Sequence, residues 1–207
     1  MRLPTTKRLF DFTVATVALV ATVPIQAIVG VVIRKRLGTP ILFRQIRPGL
    51  HGKPFELIKF RTMLAIEPQR GRVDDASRMT DLGRRLRATS LDELPTLWNV
   101  IRGDMSLVGP RPLLTQYLER YSVIQGRRHE VRPGLTGLAQ ISGRNLLTWD
   151  EKFNLDVEYV DTQCFRLDAK ILFTTISCVL RRKGIAAPDH ATMTEFLGSD
   201  ATEHQPV

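Results

Sequence analysis

The sequence predicts an α+β fold, predominantly helical. It is expected to have an N-terminal re-entrant membrane segment (helix, break, helix), a small β-hairpin and amphipathic interfacial helices. Three observations predict this. Residues 12–33 carry no formal charge and contain one proline. Residues 40–60 hold two β-prone runs around a turn-rich linker. Beyond residue 80, apolar residues recur mostly at helical spacing. The 207 residues suffice to bury a core, and 43% hydrophobic with 25% charged residues exclude wholesale disorder. The expected division is an anchor over 1–36, a folded domain over 37–187 and a polar tail over 188–207.

The uncharged run, FTVATVALVATVPIQAIVGVVI, would reach about 33 Å as one straight helix, enough to cross a bilayer core of about 30 Å. A cleaved signal peptide fits its cationic start but not Arg34-Lys35-Arg36, which follow at once. A crossing helix and a hairpin that enters and leaves on one side both remain. Cationic flanks prefer the cytoplasmic face, and here both flanks, Lys7-Arg8 and Arg34–Arg36, carry that label. Pro24 lacks an N–H and splits the run into two pieces, each too short to span. These features favour the hairpin, while a proline-kinked span is the ordinary alternative.

Ile41–Ile46 and Phe55–Phe60 read as the two strands of a hairpin around Arg47–Pro54. Residues 66–80 read as an exposed polar loop and Leu82–Arg87 as a short basic helix. Leu94–Ile101, with Pro95 in its first turn, Leu113–Ile124 and Asp150–Val160 read as further helices. The glycine-rich stretch 132–144 reads as loop or short strand. Asp168–Lys183 is a helix with an apolar stripe and a cationic end, suited either to a core or to an anionic lipid surface. After Ala187 the chain is expected to fray.

Charge narrows the partners. Residues 1–148 carry a net +13 and residues 149–207 a net −4. The basic part implies nucleic acid, an acidic leaflet or a phosphorylated substrate. The cations are scattered among turns and aromatics are only 7%, a poor platform for stacked bases, so no nucleic acid is expected. A membrane-anchored basic protein that binds anionic lipid or nucleic acid without catalysis is the rival reading. Two cysteines, Cys164 and Cys178, exclude a disulfide framework and a four-cysteine zinc site. Phosphate-loop, dinucleotide and HExxH motifs are absent, and the four histidines lack ligand spacing.

The densest chemical text is SLDELPTLWNVIRGDMSLVGPRP at 90–112. Ser90 to Glu93 matches a capping box, which would make Asp92 and Glu93 ordinary helix-start acids. The same helix field keeps a carboxylate ionised, the nucleophilic form, and two adjacent carboxylates suit Mg²⁺. Arg44, Lys59, Arg61, Arg87 and Arg111 supply cations nearby in sequence. Arg111 stands between Pro110 and Pro112, so its fork is offered with little backbone freedom to lose.

The chain resembles the bacterial sugar transferases known as monotopic phosphoglycosyl transferases. The resemblance rests on KRLFDF (7–12), the proline-broken run, FRQIRPG (43–49), KFRTM (59–63), residues 90–112, RPGLTGLAQISGRN (132–145) and WDEKFNLDVEYV (149–160). The match, without a long N-terminal extension, looks like the small catalytic-core type. ISGRNLLTWDEKF and HATMTEF look most like members that transfer diacetamido-trideoxyhexose phosphates such as bacillosamine phosphate.

The resemblance implies a polyprenol-phosphate sugar-1-phosphate transferase on the cytoplasmic face of the bacterial inner membrane. It implies a UDP-sugar donor, undecaprenyl phosphate as acceptor, UMP as leaving group and Mg²⁺ as cofactor. It makes 37–187 the catalytic domain and gives Asp92 the role of nucleophile. Glu93 would assist metal binding or proton removal. Lys59, Arg61, Arg87, Arg111, Arg44 and Arg144 become substrate ligands, and the N-terminal run a re-entrant helix. Family members often have a small polar residue before the membrane proline. Here it is Val23, with Thr22 as the substitute that could bond a freed carbonyl.

Overall fold

The computed structural model describes residues 5–143, 146–181 and 195–198. Helix α1 (Thr5–Leu37) is followed by hairpin strands β1 (Leu42–Pro48) and β2 (Pro54–Phe60), then by α2 (Asp75–Arg78) and α3 (Asp81–Ala88). A 3-10 segment (Leu91–Thr96) leads into α4 (Leu97–Arg102), β3 (Ser106–Val108), α5 (Val123–Gly126), β4 (Gly134–Thr136), α6 (Leu138–Ser142), α7 (Trp149–Thr162) and α8 (Phe165–Arg181). The predominantly helical reading and the antiparallel hairpin hold.

α1 remains helical through Pro24 rather than separating into two helices. Its polar side chains are absorbed by its own backbone. Thr16 donates to the Phe12 carbonyl at 2.7 Å, and Thr22 donates to the carbonyls of Ala18 at 2.7 Å and Leu19 at 3.2 Å. Gln26 donates to the Thr22 hydroxyl at 3.0 Å. Thr22 therefore serves the turn below Pro24, not the Val20 carbonyl that a proline at 24 leaves without its usual donor. Among the described residues α1 is the one helix long and apolar enough to cross a membrane.

Both ends of α1 pack on the rest of the fold. At the N-terminal end Lys7 reaches Asp168 at 2.5 Å. Arg8 donates to the Val100 and Ile101 carbonyls at 2.5 and 2.6 Å, capping the end of α4. Asp11 accepts from the Ser106 hydroxyl at 2.7 Å. Ala15 enters the main core with Leu97, Val100, Leu107 and Tyr159. At the C-terminal end Val29 and Ile33 pack with Phe60 and Leu86, each buried aliphatic contributing about 1.5–3 kcal/mol. The middle of the helix leaves Val17, Val20, Val23 and Ile25 exposed.

Two expectations change, and one strand is new. The helix expected over 113–124 is a 3-10 segment (Thr115–Arg120), an extended Tyr121 and the single turn α5. β3 and β4 form a parallel pair, Ser106 opposite Gly134 and Val108 opposite Thr136; β4 is the short strand allowed for within 132–144, whereas β3 lies where no strand was expected. The tail does not fray throughout. Phe196 is 1% exposed amid Tyr117, Phe153 and Tyr121. Arg120 bonds Glu195 at 2.8 Å and the Phe196 carbonyl at 2.5 Å.

Candidate active site

The acidic pair lies where α3 turns back. Ser90 adopts φ 54°, ψ 17°, a left-handed conformation that closes α3 and starts the 3-10 segment. Its side chain makes no cap, so the capping box is not formed, and the Glu93 N–H donates to the Ser90 carbonyl at 3.2 Å. The Glu93 carboxylate instead accepts from Arg111 at 2.6 Å. Asp92 is 4% exposed.

This segment is laced to the free edge of β2. Thr96 donates to the Ile58 carbonyl at 2.8 Å. Asn99 accepts from the Ile58 N–H at 3.1 Å and donates to the Glu56 carbonyl at 2.7 Å. The bonds satisfy buried backbone groups and fix the acidic pair against the strand that carries Lys59.

Arg87 arrives from α3. Gly83 lets α3 touch the chain after β2, since a Cβ there would lie 1.9 Å from the Thr62 carbonyl oxygen. Arg87 then donates through Nε to the Thr62 hydroxyl at 3.1 Å.

Arg111 arrives from the loop after β3. Gly109 donates to Thr136 and Gly134 donates to Pro110, both at 2.9 Å. A Cβ on Gly134 would lie 2.1 Å from the Gly109 nitrogen, so the two loops meet backbone to backbone. Arg128 holds the Arg111 carbonyl at 2.7 Å and is itself paired with Asp156 at 2.7 Å.

Electrostatics join these groups. Burial and the Glu93 charge push the Asp92 carboxyl up, while Lys59, Arg111 and Arg87 pull it down. Burial lowers the Lys59 ammonium, as does Arg111, with Glu93 and Asp92 opposing. Burial lowers Arg87, with Asp92 opposing. Glu93 raises Arg111. The five groups form one charged centre around a buried carboxylate. Such a centre can neutralise phosphate charge and present an oxygen nucleophile.

Two of the expected cations are elsewhere. Hairpin alternation puts Arg44 on the face opposite Lys59, where it pairs with Glu56 at 2.5 Å in solvent. Arg61 donates to the Thr39 carbonyl at 3.1 Å and to that of Leu37, tying down the end of α1. Arg144 lies outside the described residues. Among the described residues no three His, Cys, Asp or Glu side chains gather to hold a metal by themselves. Arg47 and Arg128 escaped the sequence reading. Alternation could have placed Arg47 on the Lys59 face, whereas nothing local marks Arg128 as the support of Arg111.

The bacterial sugar transferase family model matches residues 3–182. The chain is 52% identical over 194 residues to the uncharacterized sugar transferase EpsL of Bacillus subtilis (strain 168), covering 93% of this chain and 96% of that protein. It is 40% identical to the UDP-glucose:undecaprenyl-phosphate glucose-1-phosphate transferase of Klebsiella pneumoniae, over 82% of this chain but 39% of that protein. It is 38% identical to the undecaprenyl-phosphate galactose phosphotransferase of Salmonella typhimurium, over 86% of this chain and 41% of that protein. The segments that build the charged centre fall within the matched residues, and with them the chain is an enzyme that belongs to the bacterial sugar transferase family.

Proposed function

We propose that this protein is a monotopic membrane phosphoglycosyl transferase. It moves sugar-1-phosphate from a UDP-sugar to a polyprenol phosphate such as undecaprenyl phosphate and releases UMP through a phosphosugar-aspartyl intermediate. The observation that carries this reading is the buried Asp92 flanked by Glu93 and surrounded by Lys59, Arg87 and Arg111.

Asp92 attacks the outer phosphorus of the donor. Lys59, Arg87 and Arg111 offset the phosphate charge that would otherwise repel a carboxylate. The covalent stage lets two anionic substrates react in turn instead of meeting. Glu93, oriented by Arg111, takes the proton of the lipid phosphate or shares a metal with Asp92.

Mg²⁺ fits this donor set. Adjacent carboxylate oxygens are hard ligands, and Asp92 is pushed up by burial and then by Glu93, a repulsion that a cation would relieve. Bound there with Asp92, Glu93 and substrate oxygens, Mg²⁺ would neutralise diphosphate charge.

The membrane reading rests on α1. Lys7 and Arg8 at one end, and Ile33 with the Leu37 carbonyl at the other, are all held by the same domain. A helix whose two ends are held by one domain suits entry and return on one face better than a crossing. α8 adds an exposed stripe of Phe165, Phe173 and Ile176, and Phe165 meets Phe10 of α1 with ring centroids 5.2 Å apart. The two apolar surfaces adjoin, as an interfacial platform on the cytoplasmic side requires.

For the sugar, the resemblance of 141–153 and 190–196 to diacetamido-sugar members favours an N-acetylated amino sugar. Relatives named for glucose and galactose favour a plain hexose as the second reading.

UMP release from a panel of UDP-sugars with undecaprenyl phosphate separates the two sugar readings. Asp92→Asn and EDTA should each abolish turnover. Without acceptor, the intact mass should rise by one sugar phosphate in wild type and not in Asp92→Asn. Substantial turnover by Asp92→Asn would remove the nucleophile. Arg2→Cys and Leu37→Cys, made with Cys164 and Cys178 changed to serine, should both resist an impermeant external reagent in intact cells.

A further inference from the structure

One cation on the Lys59 face has no role in the centre described above. Arg47 lies in β1 opposite Phe55, four residues along from the Phe43–Lys59 pair, or about 13 Å at strand spacing. Its guanidinium donates to Gln45 at 2.6 Å. Its Nε is buried without a partner, and no carboxylate among the described residues lies within ion-pair distance of it. The backbone around it is pinned on both sides. Thr115 donates to the Ile46 carbonyl at 3.3 Å, and His129 meets the Gly49 carbonyl at 3.3 Å.

Arg111 acts on both Lys59 and Arg47. Lys59, Arg87 and Arg111 all feel the acidic pair, whereas the titratable neighbours of Arg47 are Arg111 and two neutral phenols, Tyr117 and Tyr121. Arg111 thus neighbours both the acidic pair and Arg47, which stands on the same hairpin face as Lys59. Burial and Arg111 lower it to about 10, so it stays charged at neutral pH. A rigid, half-buried arginine pressed by a second arginine and lacking a counter-charge is costly alone and favourable once an anion arrives.

We propose that Arg47, together with Arg111, holds the phosphate of the departing nucleoside monophosphate. The inference rests on the transferase reading above. In the transfer step an Asp92 oxygen bonds to the outer phosphorus. The bond from that phosphorus to the bridging oxygen breaks, and its electron pair stays on the bridging oxygen, which becomes a terminal oxygen of UMP. The leaving phosphate thus gains negative charge on the side of the centre away from the nucleophile. A cation beyond Arg111 meets that charge as it develops.

The test uses the full chain in lipid nanodiscs, as wild type, Arg47→Gln and Arg47→Lys. The readouts are donor KM, acceptor KM, inhibition constants for UMP and uridine, and the melting shift induced by UMP. Arg47→Gln should raise donor KM and the UMP inhibition constant at least about tenfold, the scale of a lost charged hydrogen bond. It should leave acceptor KM and uridine inhibition within about twofold, and Arg47→Lys should fall between. Unchanged UMP and donor constants overturn the proposal. So does a rise confined to acceptor KM, which would assign Arg47 to the lipid phosphate, or an equal loss for uridine, which would assign it to the nucleoside. If Arg47→Gln does not fold, Arg47→Lys decides on the same criteria with a smaller shift, about threefold. If wild type turns over no UDP-sugar, the transferase reading fails, and the UMP melting shift still tests the subsite by itself.

Discussion

The Lys7 ammonium lies 2.5 Å from the Asp168 carboxylate, joining residues 161 positions apart. Both side chains are buried, and the Tyr159 hydroxyl completes the carboxylate at 2.7 Å. This contact, with Asp11 on Ser106, explains the charged ends of KRLFDF: they dock α1 onto β3 and α8. Removing one partner leaves the other charge buried, which typically costs about 3–5 kcal/mol. Lys7→Met should lower the melting temperature sharply in detergent, and adding Asp168→Asn should recover part of the loss. Equal melting of the two variants would mean that the pair does not couple.

Gly83→Ala tests how Arg87 is placed. The added Cβ would meet the Thr62 carbonyl at 1.9 Å, a backbone atom that cannot rotate away. α3 must shift, and the Arg87–Thr62 bond goes with it. Overpacking of this kind costs about 1–3 kcal/mol. kcat/KM for UMP release should fall more than about tenfold, the scale of a displaced catalytic contact. Circular dichroism should show retained helicity.

His129 supplies a pH dependence. Burial and then the Arg128 charge lower it to about 4, against about 6.5 in an unfolded chain. Between these values the unfolded state binds the proton and the folded state does not, so stability is lost as pH falls from about 6.5 towards 4. The loss is up to about 3 kcal/mol. Melting temperature measured from pH 7 to 4.5 should fall more steeply in wild type than in His129→Gln. Parallel curves would show that His129 does not contribute.

Much of this arrangement was legible in the sequence because it depends on local pattern. The uncharged run, the hairpin and the basic helix that became α3 follow from composition and periodicity over short windows. The acidic pair was legible too, but its setting was not. Ser90 to Glu93 reads as a cap, and only the left-handed Ser90 and the reach of Arg111 across 18 positions redirect Glu93 away from it. β3 was hidden, and β4 only allowed for, because each is three residues long and the pair is held by glycine-to-glycine contact rather than by alternating side chains. Arg61 stands close to Lys59 in sequence, which says nothing about the carbonyls of Leu37 and Thr39 that it meets at the end of α1.

Arg44 and Lys59 set the sharpest contrast between sequence proximity and placement. They sit on paired strands, one residue out of register, and so on opposite faces. Arg44 pairs with Glu56 in solvent, where such a bridge is worth about 0–1 kcal/mol. Lys59 faces Asp92, Glu93 and Arg111, half-buried, its ammonium 5.7 Å from the centre of the Phe43 ring. Arg44→Gln should therefore leave donor KM and kcat within about threefold of wild type, as expected for a surface substitution. Lys59→Gln should reduce kcat/KM by about a hundredfold or more, because it removes a charge that offsets phosphate where the dielectric is low. UMP release measured side by side decides the matter: equal losses in the two variants would mean that the hairpin presents its other face to the substrate.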